Sequence, residues 1–131
     1  MILLDTHIWV RWVDPNANPL SPGLVELIER ADQLAVSAIT CWEVALLVRR
    51  GRIELNLSLM DWVDHALSGS SVICLPIDRR IAVRAASLPE HHRDPADRLI
   101  IATAMERQAQ LMSLDEAFTA YFDSSGSLIS R

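Results

Sequence analysis

Short apolar runs alternate along this chain with longer segments in which apolar residues recur at helical spacing. The runs have the length of buried strands, and the segments that follow them have the period of amphipathic helices. Strands that alternate with helices are typical of a parallel sheet covered on both faces. We therefore predict a three-layer α/β/α fold with a short parallel sheet of about four to five strands. The predicted strands span residues 1–4, 34–37, 72–77 and 111–114, with a weak edge strand at 127–129.

Polar residues at the starts of the helical segments supply capping signals. Serine, threonine and aspartate accept hydrogen bonds from the free amides of a first helical turn, and proline is favoured directly after them. The helix that begins at about Thr40 is predicted to end at Gly51, because glycine suits a helix C-terminus. The N-cap residues predicted on this basis are Ser21, Thr40, Asp78 and Asp94.

The composition fits one globular domain. The chain has 131 residues and is 50% hydrophobic, which is enough for one core, so we predict a single domain over residues 1–131. No apolar run approaches the roughly 18 residues that a membrane-spanning helix needs. The N-terminus lacks a basic stretch followed by an apolar one, so we expect a cytoplasmic protein without membrane contact.

The charge and the cysteines exclude several classes of protein. The formal net charge of −5 argues against a protein that coats nucleic acid. All 12 basic residues are arginine, so mechanisms that require a lysine are excluded. Cys41 and Cys74 form no Cys-x-x-Cys motif and lie among apolar residues, so we expect two buried, reduced thiols.

Four carboxylates stand where a predicted strand ends or a predicted helix begins. Asp5 and Asp115 follow strands, whereas Glu43 and Asp97 lie in the first turns of helices. The carboxyl ends of parallel strands meet at one edge of a sheet, and ligands bind there. Acids gathered at that edge repel one another unless they hold hard cations, and an all-oxygen site suits Mg²⁺ or Mn²⁺. The sequence therefore predicts a metal site of the kind that hydrolyses phosphodiesters.

Each acid also has a purely structural explanation. Asp5 and Asp115 can cap the helices that follow them. Glu43, three residues after Thr40, fits a capping box. Asp97 can be an acid that the dipole of its helix favours. Together the four acids exceed what folding requires, which favours the metal site.

Neighbouring polar residues leave alternatives open. Thr6 is either a helix cap or a hydrogen-bond donor to a carboxylate, and Ser113 is either a supporting hydroxyl or only a strand-end residue. Arg98 is either a phosphate ligand or one half of a solvated ion pair.

The histidines and tryptophans are assigned structural roles. His7 is near the carboxyl edge of the sheet, where it could touch substrate, but a partly buried structural role is favoured. The adjacent histidines 91–92 are expected to be solvated, since no partner stands at a metal-ligand spacing. Core packing is favoured over base stacking for the tryptophans, with a role at a protein interface as the intermediate possibility. These are Trp9, Trp12, Trp42 and Trp62.

The order and spacing of these motifs resemble the PIN-domain ribonucleases, in particular the VapC-type toxins of bacterial toxin–antitoxin pairs. The most specific segment is Asp-Pro-Ala-Asp-Arg-Leu-Ile-Ile-Ala-Thr-Ala at residues 94–104. The resemblance covers essentially the whole chain. The other matching segments are Leu-Leu-Asp-Thr-His at 3–7, Ser-Ala-Ile-Thr-Cys-Trp-Glu-Val at 37–44 and Leu-Met-Ser-Leu-Asp at 111–115.

The resemblance implies a metal-dependent endoribonuclease with Mg²⁺ or Mn²⁺ as cofactor. Asp5 and Asp97 would be the principal metal ligands, and Glu43 would complete the set or orient a water molecule. Asp115 would be the fourth acid, and Ser113 stands where the family often has threonine. The family also implies an RNA substrate, a homodimer and a small VapB-like antitoxin as partner. The residues expected to support the acids are Thr6, Asp94, Arg98 and Ser113.

Other functions fit the sequence less well. A haloacid-dehalogenase-type phosphatase also begins with a strand-end aspartate, but His7 stands in place of its second acid and the lysine it needs is absent. A receiver-like signalling domain fails on the missing lysine too. An inactive PIN-like scaffold, or a module that only binds RNA or another partner, would be marked by the loss of acids, and all four are present.

Overall fold

A computed structural model describes residues 1–14, 18–69, 71–122 and 126–130. Within these residues, helices and strands alternate as the sequence predicts. The strands are β1 (Ile2–Leu4), β2 (Leu34–Ser37), β3 (Val72–Leu75), β4 (Gln110–Met112) and β5 (Leu128–Ile129). The α-helices are α1 (Thr6–Val13), α2 (Pro22–Arg30), α3 (Ala38–Arg49), α4 (Leu59–Ser68), α5 (Arg79–Ser87) and α6 (Pro95–Glu106), and a 3₁₀ helix spans Glu116–Tyr121.

The strands form a five-stranded parallel sheet in the order β3-β2-β1-β4-β5. The chain moves outward from β1 through β2 to β3, then returns to the other side of β1 for β4 and β5. The order therefore reverses between β1 and β4, and a crevice opens at the carboxyl ends of strands where such a reversal occurs. The predicted fold class is confirmed, and the fold places this crevice beside Asp5 and Ser113.

Helices cover both faces of the sheet. Alternate side chains of β1 point to opposite faces, so Ile2 and Leu4 pack in one core cluster and Leu3 packs in another. The first cluster includes buried residues of α1, α2 and α4, and the second includes buried residues of α6 and the 3₁₀ helix. Helix α5 packs on the outside of α6. No helix in the described parts of the chain has the length and hydropathy of a membrane span.

The predicted N-caps Ser21, Asp78 and Asp94 are confirmed, but the start of α3 differs from the prediction. Ser37, the last residue of β2, accepts a 3.2 Å hydrogen bond from the N–H of Ile39 and caps α3. Because the helix follows the strand directly, it begins two residues before Thr40, which is buried inside it.

Three other boundaries differ or agree in instructive ways. Gly51 does end the α3 segment, with φ of +68°, a left-handed conformation that glycine adopts without strain. Strand β3 ends at Leu75 and not at residue 77, and the last predicted helix is a 3₁₀ helix.

Two tryptophans form the centre of the larger core cluster. Trp9 and Trp62 are buried, and their rings meet edge to face with centroids 5.1 Å apart. Trp12 is partly buried against the same cluster. The prediction of core packing is wrong for Trp42, which is 54% exposed on α3.

The cysteines are less buried than predicted. Cys41 is partly buried, and burial together with the neighbouring thiol of Cys74 raises its pKa to about 11. Cys74 is exposed, because β3 lies at the edge of the sheet. Both thiols are free.

Candidate metal centre

Asp5 lies directly after β1, at the crevice where the strand order reverses. The residue is 6% exposed. Its Oδ1 accepts a 2.7 Å hydrogen bond from the N–H of Thr6, and its Oδ2 accepts one of 2.7 Å from the hydroxyl of Ser113, beyond β4. An ordinary N-cap accepts from the second or third helical residue, whereas Asp5 accepts from the first. Donors from the ends of two neighbouring strands thus fix both oxygens.

Glu43 lies in the second turn of α3, one turn further along than the sequence predicts. Because Ser37 caps this helix, Glu43 is not at the capping-box position, and that structural alternative is wrong. Its Oε1 instead accepts a 2.5 Å hydrogen bond from the hydroxyl of Thr6, whose oxygen lies 3.2 Å from that of Thr40. Thr6 therefore contacts Asp5 through its backbone and Glu43 through its side chain.

Asp97 lies in the first turn of α6, as predicted. Its N–H donates to Oδ1 of the N-cap Asp94 at 3.1 Å. Its Oδ2 lies 2.6 Å from Nε2 of His92. The side chains of His92 and Asp97 are only 24% and 16% exposed, so the prediction of solvation is wrong for His92. His91 is exposed and meets the ring of Tyr121 edge-on.

Asp115 is exposed, and its position is compatible with both predicted roles, the helix cap and the fourth acid. Its Oδ1 accepts a 2.9 Å hydrogen bond from a backbone N–H of the 3₁₀ helix, so it does cap that helix. One ligand atom from each of Asp115, Asp97 and His92 also lies within 4.8 Å of the other two. Ser113 is fully buried and links this acid to Asp5, because its oxygen accepts from the N–H of Asp115 while its hydroxyl donates to Asp5.

Backbone carbonyls engage the guanidinium of Arg98. Its guanidinium donates five hydrogen bonds of 2.7 to 3.4 Å to backbone carbonyls at the end of α5 and in the loop before α6. All five N–H donors of the side chain are used. Neither predicted alternative, a phosphate ligand or a solvated ion pair, describes these contacts. The acceptors are the carbonyl oxygens of Ala85, Ala86, Leu88, Pro89 and His92.

His7 is exposed, so the prediction that it is partly buried is wrong. Together with Arg11, Arg52 and Trp62 it lines a groove of about 620 Å³. His7, which lines this groove, follows Asp5 by two residues in the sequence. Burial raises the pKa of Asp5, and the nearby imidazole of His7 opposes this with a smaller lowering effect.

Burial raises the pKa of the three inner acids. It raises the pKa of Asp5 more than the hydrogen bonds to that carboxyl lower it. It is also the main cause that raises the pKa of Glu43 to about 7 and that of Asp97 to about 6. The charge of Asp5 adds to both shifts, and that of Asp97 adds to the shift of Glu43. The three carboxylates are therefore close enough to repel one another.

This set of donors fits a hard divalent cation. The charge of Asp5 acts on Glu43 and Asp97. Among the described residues, however, the ligand atoms that lie within 4.8 Å of one another belong to Asp97, Asp115 and His92, a group that includes neither Asp5 nor Glu43. Mg²⁺ and Mn²⁺ prefer oxygen ligands, and a cation among these acids would offset their repulsion. The resemblance to the PIN-domain ribonucleases implies Asp5 and Asp97 as the principal ligands.

Comparison with known proteins gives the chain a family. The PIN domain model matches residues 2–122. Over 121 aligned residues the chain is 35% identical to Ribonuclease VapC22 of Mycobacterium tuberculosis. The alignment covers 92% of this chain and 91% of that protein.

Solved structures share the fold. A toxin–antitoxin complex from Klebsiella pneumoniae matches with a TM-score of 0.68 at 20% identity, over 98% of this chain and 96% of that one. VapBC2 from Rickettsia felis, bound to a DNA fragment from its promoter, matches with a TM-score of 0.66 at 19% identity, over 98% and 96% of the two chains. Because the domain model and the VapC22 relationship both extend over nearly the whole chain, this protein belongs to the PIN-domain family, as a VapC-type member.

Proposed function

We propose that this chain is a metal-dependent endoribonuclease and the toxin of a VapBC-type toxin–antitoxin pair. The observation that supports this most strongly is the position of Asp5 where the strand order reverses. Ser113 links it to Asp115, which offers a ligand atom within 4.8 Å of those of Asp97 and His92. The relative named Ribonuclease VapC22 supports RNA as the substrate. An inactive scaffold would have no reason to keep buried acids whose pKa values are raised, because their repulsion is costly without a cation.

Asp5 and Asp97 would hold Mg²⁺ or Mn²⁺, Glu43 would orient the attacking water, and Asp115 would add a further acid from the exposed side. When bound, the cation supplies Lewis-acid stabilisation of the charge that develops on the scissile phosphate.

The chain's own residues orient the acids and move the proton. Thr6 and Ser113 keep both oxygens of Asp5 in place. Thr6 also holds Oε1 of Glu43, which leaves Oε2 to accept a proton from the attacking water. Attack by water, and not by the 2′-hydroxyl of the RNA, leaves a 5′-phosphate and a 3′-hydroxyl.

A ribonuclease that acts in the cytoplasm of its own host requires an inhibitor made beside it. The likeness to solved toxin–antitoxin complexes supports a small VapB-like antitoxin as the partner. The acidic crevice suits a basic side chain of that partner, most simply an arginine, which pairs with carboxylates bidentately. We also propose the homodimer that the family implies.

Expression in a bacterial host tests the proposal. The wild-type chain should arrest growth, and co-expression of the small gene beside it should relieve the arrest. Asp97→Asn should be harmless at the same expression level. Asp64→Asn should arrest growth like the wild type, because Asp64 lies near Val72, at the opposite end of β3 from the acids. A folded wild-type chain that leaves growth unchanged, or an Asp97→Asn chain that arrests it, would contradict the toxin assignment.

A further inference from the structure

We propose that His92 is a positioning residue of the metal centre, which holds Oδ2 of Asp97 so that the other oxygen faces the cation. The inference rests on the proposed metal site. His92 is not one of the four acids, and three sets of contacts support its role.

Each of the three acids whose pKa is raised, Asp5, Glu43 and Asp97, has its own hydrogen-bond donor. Asp5 accepts from Ser113 and from a backbone N–H, and Glu43 accepts from Thr6. For the carboxylate of Asp97, the side-chain donor among the described residues is His92, through the 2.6 Å contact with Nε2. Carboxylates that bind metals are generally fixed by such outer hydrogen bonds, which orient the ligating oxygen.

Neighbouring residues hold both the backbone and the ring of His92 in place. Its N–H donates to the hydroxyl of Tyr121 at 2.8 Å, and its carbonyl accepts from Arg98 at 3.0 Å. Its ring packs on Phe118, with centroids 6.3 Å apart. The hydroxyl of Tyr121 in turn donates to the carbonyl of Pro89 at 2.7 Å. These contacts tie a loop to two helices, so the imidazole reaches Asp97 from a rigid support.

The imidazole of His92 could either position Asp97 or bind the cation directly. One atom each of His92, Asp97 and Asp115 lies within 4.8 Å of the others, so the imidazole is near enough to be a ligand itself. Its Nε2 is already engaged by Asp97, however, and ligation through that atom would break the short hydrogen bond. In the proposed arrangement the imidazole acts through Asp97. Ligation through its other nitrogen, Nδ1, is the alternative, and a nitrogen coupling to bound Mn²⁺ would reveal it.

Binding of Mn²⁺, followed by electron paramagnetic resonance without RNA, tests the inference. His92→Ala should weaken Mn²⁺ binding by about 10- to 100-fold, the usual effect of removing an outer partner of a metal ligand. His92→Gln should restore most of the affinity, because the glutamine amide can donate from nearly the same position as Nε2. His65→Ala, at an exposed histidine on α4, should bind like the wild type.

The outcomes separate this inference from the proposed function. A folded wild-type chain that binds no Mn²⁺ would contradict the metal centre as a whole. Equal binding by the wild type and His92→Ala would overturn only the role of His92. A nitrogen coupling to bound Mn²⁺ that disappears in His92→Gln would also overturn it, because the imidazole would then be a ligand.

A double-mutant cycle tests whether the support acts through His92. Tyr121→Phe removes the hydroxyl and keeps the ring, so Mn²⁺ binding should weaken several-fold in the wild-type background. It should have no further effect in His92→Ala, because contacts that act through one residue are not additive. Additive losses in the double variant would contradict the positioning role.

Discussion

Asp5 and Asp97 both stand at helix starts, where a capping or dipole-favoured acid is common, yet side chains from elsewhere in the fold hold their oxygens. Ser113 reaches Asp5 from the end of a neighbouring strand, and His92 reaches Asp97 from the preceding loop. A residue that only caps a helix needs neither contact. At the scale of single residues, these donors favour a role for both acids beyond helix capping.

Replacement of these acids by their neutral isosteres should separate catalysis from folding. Asp5→Asn and Asp97→Asn should lower RNA cleavage by more than about 100-fold. Removal of a residue that only hydrogen-bonds a metal ligand already lowers activity by up to about 100-fold, and removal of the ligand itself should cost more. Thermal unfolding should show both variants folded, because asparagine caps helices well and removes a repelling charge. Asp115→Asn should be milder, with a loss below about tenfold on the same reasoning. Asp64→Asn is the matched control, and unfolded or fully active Asp5 and Asp97 variants would favour capping.

Ser113 should matter through the orientation of Asp5. Ser113→Ala removes the 2.7 Å donor to that acid, so calorimetric titration should show Mn²⁺ binding about 10- to 100-fold weaker. Ser113→Thr keeps the hydroxyl and should bind almost normally, provided that its unfolding temperature shows it to be folded. Equal affinity in the alanine and threonine variants would mean that the hydroxyl does not act on the site.

Sequence reasoning identified the acids but not the histidine that faces one of them. Asp5 follows an apolar strand and Asp97 follows a strong helix-start signal, so local patterns place both. His92 precedes Asp97 by five residues, across a loop and a helix start, and no regular spacing predicts that contact. A histidine shortly before a helix that carries a candidate ligand is the one signal that could have indicated it.

Arg98 shows how one residue joins two elements. Its five hydrogen bonds connect α6 to the carboxyl end of α5 and to the loop that contains His92. Carbonyls at a helix end lack partners within the helix, so a cation there is favourable. At the scale of elements, the packing of α5 on α6 and the placement of His92 thus depend on the same side chain.

Loss of this guanidinium should destabilise the fold. Arg98→Ala should lower the free energy of unfolding by about 2–3 kcal/mol, since it leaves several partly buried carbonyls without a donor. Arg98→Lys should recover only part of this, because an ammonium group has no planar fork. Arg93→Ala, at an exposed arginine in the same loop, should change stability by less than about 0.5 kcal/mol. Urea unfolding measures all three. Unchanged stability of Arg98→Ala with a raised KM for RNA would make Arg98 a phosphate ligand after all.

Element boundaries were predictable where a local signal exists. Ser21, Asp78 and Asp94 mark their helices correctly. The error at α3 arose because Ser37 serves both as the last strand residue and as the helix cap, so the helix begins without a loop. Glu43 consequently lies one turn deeper in the helix than predicted, which is what brings it to Thr6.

At the scale of the whole molecule, the fold concentrates buried negative charge at one edge of the sheet. The three inner acids have pKa values above those of ordinary carboxyls, mainly because of burial. The folded chain without metal therefore binds more protons than the unfolded chain in weakly acidic solution. Stability from these groups is present below the unfolded pKa values and is lost as pH rises through the folded ones.

Without metal, the unfolding temperature should therefore fall as pH rises through the folded pKa values, about 6 for Asp97 and about 7 for Glu43, both raised mainly by burial. Mn²⁺ should restore stability at the upper end of this range, because it binds the deprotonated acids of the folded state. Differential scanning calorimetry measures both effects. In Asp97→Asn the decline with pH should be smaller, and an equal decline would show that other groups cause it.

The most direct test of the central claim is cleavage of a short labelled RNA by the purified chain, with Mn²⁺ or with EDTA, followed by identification of the new ends. We predict cleavage with Mn²⁺, none in EDTA, and products with a 5′-phosphate and a 3′-hydroxyl, because a carboxylate site that holds a cation would use water, and not the 2′-hydroxyl of the RNA, as the nucleophile. Full activity in EDTA, or products with a cyclic phosphate, would contradict it.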